Sequence, residues 1–423
     1  MKQIKLEIKA LSPLAISRQK PGGSVSECED YVPGSVIRGA IASTILKQSN
    51  QQFTDLSVNG GDFQALFLGD NPAIFQNAYP SILTKGKAIP RNQTEETGVL
   101  PTTALSSKTK SGFKTDKNSG VFDSLIDRFC AESYGFAYDP SCPEEKGGRV
   151  EPYTGFYSKL SSKYYNVSVK KRLLTRVGIN RRRATSEEEI LYSIQVLKES
   201  EINSQQEKPI IFKSLIVVED DKLSDKLQNF IDAHSKYFRL GGSTSRGLGK
   251  VEIKVENLEL IAEIENKKIQ AKIEEFTNKL VARWKLWSIF GNQLQELPEN
   301  RSYFTLNLQS DAILTEQWQR ITVISPKMLK QFTGINDESL KLEVAYSSYD
   351  YRSGWNSAWG LMKDVELVTN KGAVYLFSTT QPAKWYQALA ELELKGVGER
   401  TCEGFGQVEI CNNFHLIMRD EPV

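Results

Sequence analysis

The residues best suited to hold a ligand are a glycine loop and a tract of cations. The loop, Gly241, Gly242, Ser243, Thr244, Ser245, Arg246 and Gly247, offers backbone amides, small hydroxyls and one guanidinium. Glycines permit positive φ and close approach of a sugar-phosphate chain. Hydroxyls and an arginine donate to phosphate oxygens, the contacts that fix register on nucleic acid. Two nucleotide-cofactor fingerprints fail at this loop. Gly242 and Gly247 have the spacing of a phosphate-binding P-loop, but Leu248-Gly249 stand where Lys-Ser/Thr must be. The dinucleotide pattern breaks at Glu252, and a helix precedes the loop where a strand should. No cofactor is expected.

The tract is 163–183 (KYYNVSVKKRLLTRVGINRRR), with Lys163, Lys170, Lys171, Arg172, Arg176, Arg181, Arg182 and Arg183 and no acidic residue. The net charge of the whole chain is only +2, so this positive charge is concentrated, not spread. Tyr164 and Tyr165 add stacking surfaces for unpaired bases. A positive track on a near-neutral chain fits a polyanion bound in one groove.

Other chemistries have little to work with. There are two histidines, His234 and His415, too few for most metal or triad chemistry. Five scattered cysteines with no CxxC pair predict neither a disulfide framework nor a structural zinc site, and suit a reducing cytoplasm. The acidic loop Glu27-Cys28-Glu29-Asp30 is one place where carboxylate chemistry could be built. No apolar run approaches the ~18–20 residues of a membrane span, and MKQIKLEIKA alternates as a strand does, not as a leader. Neither a membrane nor a small-molecule substrate is expected.

Elements must position these residues. Ile4, Leu6, Ile8 and Ala10 alternate as a strand, and a turn-rich loop follows from Ser12 to Gly34. A helix is expected over 36–47 with Ser35 as its N-cap. Residues 85–120 read as long polar surface excursions, 208–218 as a buried strand, and 223–238 as a helix. In 262–290, Ile269, Ile273, Phe276, Leu280, Trp284 and Trp287 draw one apolar stripe, which predicts a connecting helix docked on a core. Strands are expected at 303–308 and 373–378, with a helix over 382–394. Gly247-Leu248-Gly249-Lys250-Val251-Glu252-Ile253 is echoed by Gly404-Phe405-Gly406-Gln407-Val408-Glu409-Ile410 at an offset of 157 (404 − 247). Strand, helix, glycine loop and strand recur around both copies, so two divergent α+β units are predicted.

With these motifs the chain resembles the RAMP superfamily of CRISPR-associated proteins. The resemblance rests on Ser12-Pro13-Leu14, Tyr31-Val32-Pro33-Gly34-Ser35-Val36-Ile37-Arg38-Gly39-Ala40, the stretch 175–193, and GGSTSRGLGKVEI at 241–253. In the C-terminal half it rests on SGWNSAWG at 353–360 and GVGERTCEGFGQVEI at 396–410. The whole chain resembles the tandem-domain RAMP subunit of type III-D effector complexes, which sits at the 5′ end of the CRISPR RNA and holds its repeat-derived tag. That implies two tandem ferredoxin-like (RRM-related) domains with long loop insertions: 1–260, a connecting helix and linker at 261–298, and 299–423. It also implies CRISPR RNA and other RAMP-type subunits as partners, with target RNA met indirectly.

The RNA path implied includes the first glycine loop and the basic tract, together with Arg18, Lys20, Ser35, Arg38, Lys108, Arg352, Gly398, Arg400 and Gly404. A catalytic role is not expected, since neither histidine lies where a RAMP nuclease carries one. A metal-assisted ribonuclease using Asp30, by resemblance to backbone RAMP subunits, is the alternative. A protein–protein scaffold is a third reading. Trp355 and Trp359 are expected to pack in the second core.

Overall fold

The computed structural model describes residues 2–18, 27–49, 61–85, 95–144, 147–180, 185–203, 206–259, 262–290, 297, 300–356 and 360–423. The predicted sites Lys20, Arg181, Arg182 and Arg183 lie outside them, as do Trp359 and the side chain of Trp355.

The fold is α+β and contains two antiparallel sheets of the same plan. In the first half, strand β1 (Lys2–Ala10) leads through helix α1 (Gly34–Gln48) to the short edge strands β2 (Ile74–Phe75) and β3 (Tyr79–Pro80). After a long insertion come β4 (Ile211–Val218), helix α2 (Asp221–Ala233) and β5 (Val251–Glu259). In space β5 pairs β1, β1 pairs β4, and β4 pairs the edge strands. The second half repeats this with β6 (Ser302–Leu308), helix Pro326–Thr333, β7 (Lys341–Tyr346), β8 (Val374–Thr379), helix Tyr386–Lys395 and β9 (Val408–Ile410), in the order β7-β8-β6-β9. Each half therefore runs βαββαβ, with its fourth strand against its first.

Two cores follow from the alternation. Ile4, Leu6, Ile8, Ile37, Ile41, Phe75, Phe212 and Leu227 fill the first. In the second, the stripe Ile269, Ile273, Phe276, Leu280 and Trp284 of the long helix Ala262–Trp287 packs on Phe304, Leu306 and Tyr375. Helical spacing thus found both the helix and its buried face. The insertion crosses over: Leu125, Ile126, Cys130 and Tyr134 join the second core, not the first. Arg283 of the long helix clamps the insertion there, its Nε donating to Asp127 Oδ1 at 2.5 Å and its Nη2 to Asp127 Oδ2 at 3.0 Å.

Two expectations need correction. Ser35 does not cap α1. Pro33 occupies the N-cap, and no side-chain bond closes the helix start. Instead the Gly34 N–H donates to Asn77 Oδ1 at 2.8 Å, because α1 begins hard against β2, where any Cβ on Gly34 would collide with the Phe75 carbonyl. Nor is 95–107 a surface excursion, although 108–111 and 114–117 are exposed as expected. Glu95–Val99 and Ala104–Ser107 are strands, and Ser106, Ser107 and Thr103 are buried. Their hydroxyls are satisfied internally, Thr103 Oγ1 donating to Asp123 Oδ2 at 2.6 Å and Ser106 Oγ to the Gly120 carbonyl at 2.9 Å. Buried polar groups are tolerated when hydrogen-bonded, and local composition does not reveal such partners.

Candidate nucleic-acid interface

The two glycine loops share one backbone conformation, residue for residue at the offset of 157. Gly241, Ser243, Gly247 and Gly249 have φ of 86, 55, 85 and 81°. Gly398, Arg400, Gly404 and Gly406 have 80, 57, 94 and 66°. The bonds match as well. Gly242 N–H donates to the Ala15 carbonyl and Glu399 N–H to the Ile313 carbonyl; Gly249 N–H donates to the Pro13 carbonyl and Gly406 N–H to the Asp311 carbonyl. Lys250 N–H reaches Ser12 Oγ at 2.7 Å, and Gln407 N–H reaches Ser310 Oγ at 2.8 Å. Each loop is thus sewn to the segment that follows its sheet's first strand. Left-handed φ is cheap only for glycine, which is why Gly241, Gly247 and Gly249 recur as Gly398, Gly404 and Gly406.

Their surroundings differ. In the first loop, Gly242 and the run Thr244, Ser245, Arg246 and Gly247 are exposed. The Arg246 guanidinium lies over the Tyr192 ring, 5.8 Å from its centroid, and Nη1 donates to the Tyr192 hydroxyl. Tyr192 sits on the hairpin of Lys171–Asn180 and Thr185–Leu197, directly across from Arg176. Leu174, Ile194 and Val196 of the same hairpin pack on Ala15 and Leu248 at the loop's base. Arg176 of the predicted basic tract therefore shares one surface with Tyr192, Arg246 and the loop amides, whereas Lys163, Tyr164 and Tyr165 lie on a strand of another sheet, where Tyr164 packs on Phe113 and Phe414 instead of offering a free stacking face. Lys170 is exposed beside it, Lys171 pairs with Asp30 at 2.7 Å, and Arg172 pairs with Glu199 at 3.1 Å. Lys108 is exposed on a turn of the insertion. Tyr192 is the residue that sequence reasoning missed. Its place opposite Arg176 depends on hairpin register, which no local spacing signals.

The second loop is closed. Gly404 is buried against the start of α1, where a Cβ would stand 2.6 Å from Asn77 Oδ1 and 3.1 Å from Gly34 N. Glu403 occupies the place of Arg246. It accepts from Arg400 Nη2 at 2.6 Å and Lys363 Nζ at 3.0 Å. Burial alone would raise its carboxyl, but Arg400 and Lys363 together hold it below the ordinary carboxylate range. Arg38 donates to the Phe67 carbonyl and lies over the Phe67 ring at 5.5 Å, near Cys402. Ser35 and Gly398 are half-buried.

Two further predicted RNA contacts are engaged internally. Arg352 donates to Glu29 and meets Asp311, and its side chain is only 13% exposed. Arg18 donates to Asp350. Arg18 and Glu29 belong to the first half and Asp350, Arg352 and Asp311 to the second, so this network is an ionic clamp between the halves. His415 is fully buried, with Nδ1 3.1 Å from Asp123 Oδ1 and Nε2 2.8 Å from Asn307 Nδ2. His234 closes α2, its Nδ1 2.8 Å from the Phe230 carbonyl. Among the described residues no group of three or more His, Cys, Asp or Glu side chains could hold a metal ion, and no helix is long and apolar enough to cross a membrane.

Fold and site together define a two-unit α+β chain with a duplicated glycine loop, one copy open beside the hairpin that carries Arg176 and Tyr192. The family model of the RAMP superfamily matches residues 7–252, and the chain belongs to that superfamily. Among solved structures, it is similar to a chain of the type III-B Cmr-beta complex bound to cognate target RNA and AMPPnP, at 12% identity and a TM-score of 0.37 over 88% of this chain and 86% of that one. The apo state of Cmr-beta gives 13% identity and a TM-score of 0.28 over 60% of this chain and 96% of that one. No curated protein matches the sequence.

Proposed function

We propose that this chain is a non-catalytic RNA-binding subunit of a type III CRISPR effector complex, of the III-D kind. Each half is read as one ferredoxin-like unit, and the first holds the 5′ repeat-derived tag of the CRISPR RNA and caps the assembly in the cytoplasm. Other RAMP-type subunits are its neighbours, and target RNA is met through them. The observation that carries the reading is the open first glycine loop, with Arg246 laid on Tyr192 opposite Arg176 of the hairpin. Exposed amides and hydroxyls suit phosphates, and an arginine–tyrosine pair suits a phosphate with its base. Superfamily membership supports the assignment to such a complex. The non-catalytic reading is supported by Asp30, whose carboxylate is engaged by Lys171, and by two histidines with internal partners.

The test is to isolate the protein from its native host and sequence the RNA that accompanies it. Uniform short RNAs with a common 5′ repeat tag, together with co-purifying RAMP proteins, are expected. Random fragments that leave at modest salt would overturn the reading. Purified chain with magnesium and single-stranded RNA should leave that RNA intact. Cleavage that disappears in Asp30→Ala would establish the nuclease alternative instead.

A further inference from the structure

Immediately after its first strand, the second half carries a short hairpin, Leu314–Glu316 paired with Gln319–Ile321. Its loop is two residues, Gln317 and Trp318, with φ of 50 and 65°. Two-residue hairpins with both central φ positive are built from Asn-Gly or Asp-Gly, because other side chains are disfavoured there. Here a tryptophan takes the glycine's place. The fold does not use it for packing, since Trp318 is 99% exposed.

The hairpin beneath it is firmly moored. Arg320 Nη1 donates to Glu399 Oε1 at 2.6 Å and Nη2 to Glu366 Oε2 at 2.7 Å, and Glu316 accepts from Ser325 Oγ at 2.9 Å. Thr315 Oγ1 also donates to Glu399 Oε1, at 2.5 Å. Glu399 belongs to the second glycine loop, so the hairpin and that loop form one rigid piece. The corresponding hairpin of the first half, Ser17–Arg18 with Glu27–Cys28, likewise follows the backbone bond that ties its segment to the first loop, Gly242 N–H to the Ala15 carbonyl.

We infer that Trp318 is a stacking platform for one unpaired base of a bound RNA. The inference rests on the RNA-binding reading above. A disfavoured backbone presenting a large planar side chain on a moored support is preorganised for a planar ligand. The residues flanking the indole are Gln317 and Gln319, amides able to hydrogen-bond base edges.

The experiment uses the full chain and a fluorescein-labelled single-stranded RNA of about 16 nucleotides. It compares parent, Trp318→Ala, Trp318→Phe and Trp318→Gly, with Arg246→Ala as a separate control. Trp318→Ala should weaken binding at least about fivefold, and Trp318→Phe should recover most of the loss. Trp318→Gly should weaken binding while melting at or above the parent temperature, because glycine relieves the turn. On an RNA of the same length with abasic sugars, the parent and Trp318→Ala should bind alike. Unchanged affinity in Trp318→Ala overturns the inference. So does loss of a co-purifying protein with RNA affinity intact, which would assign Trp318 to a protein pocket. If Arg246→Ala weakens binding while Trp318→Ala does not, the stacking role alone fails. If neither does, the RNA reading fails with it.

Discussion

The guanidinium of Arg246 rests on a phenol, whereas Arg400 and Lys363 rest on the carboxylate of Glu403. A guanidinium on a neutral ring keeps its charge available to phosphate. Arg246→Ala should weaken single-stranded RNA binding about tenfold and flatten the salt dependence by about 0.7 log units, as loss of one phosphate contact does. Fluorescence anisotropy across a salt series measures both. The paired glycines make a second residue-scale comparison. Gly247→Ala meets open space and costs only its left-handed φ, about 1–2 kcal/mol. Gly404→Ala adds a collision with Asn77 and the start of α1, and should cost at least about 2 kcal/mol more. Urea denaturation of the two variants checks the order.

At the scale of elements, what the sequence displays depends on how far away the partner lies. The stripe from Ile269 to Trp284 and the alternation of Ile4, Leu6 and Ile8 are periodic within one element, and both were legible. The loop echo was legible because left-handed φ demands glycine at matching positions. Arg18 and Arg352 read as free cations because the acids they donate to, Asp350 and Glu29, are 332 and 323 residues away, and no local spacing points to Glu29 beside Arg18 or Asp311 beside Arg352 either. Ser35 read as a cap because the approach of β2, which selects Gly34, is a tertiary contact.

Arg352→Met should leave Asp311 buried without its counter-charge and Glu29 with only Arg18, whose Nε lies 3.9 Å away, and cost about 3–5 kcal/mol. Adding Glu29→Gln and Asp311→Asn should recover part of that in the same denaturation assay. Glu403 gives the second loop a pH dependence. Its folded carboxyl lies below the usual value of 4.5, so its contribution is complete above that pH and is lost as pH falls through the lower folded value. Melting temperatures from about pH 6 to about pH 3 should fall less steeply in Glu403→Gln than in the parent.

On the scale of the whole molecule, three contacts among the described residues tie the halves together most visibly. The ionic clamp of Arg18 and Arg352 is one, the closed second loop on α1 is another, and the insertion helix Leu125–Ser133 in the second core is the third. Cores joined in this way should unfold together, giving a single transition by both near- and far-ultraviolet circular dichroism. Two separated transitions would show that the clamp and the insertion contribute little coupling.

The docking of Gly404 on the start of α1 is head-to-tail, the loop of one unit on the helix of the other. Contacts of that kind have no internal reason to stop at two members and extend as open filaments unless something interrupts them. Here the two loops differ by a change of sign. The loop at the open end carries Arg246 where the docked loop carries Glu403 among its own cations. The cations around Glu403, Arg400 and Lys363, come from its own half, while the face that receives the loop is made by Gly34, Phe75 and Asn77. Within the chain, then, one loop spends its position on holding a neighbouring unit through a neutralised carboxylate, and its twin keeps a cation facing outward.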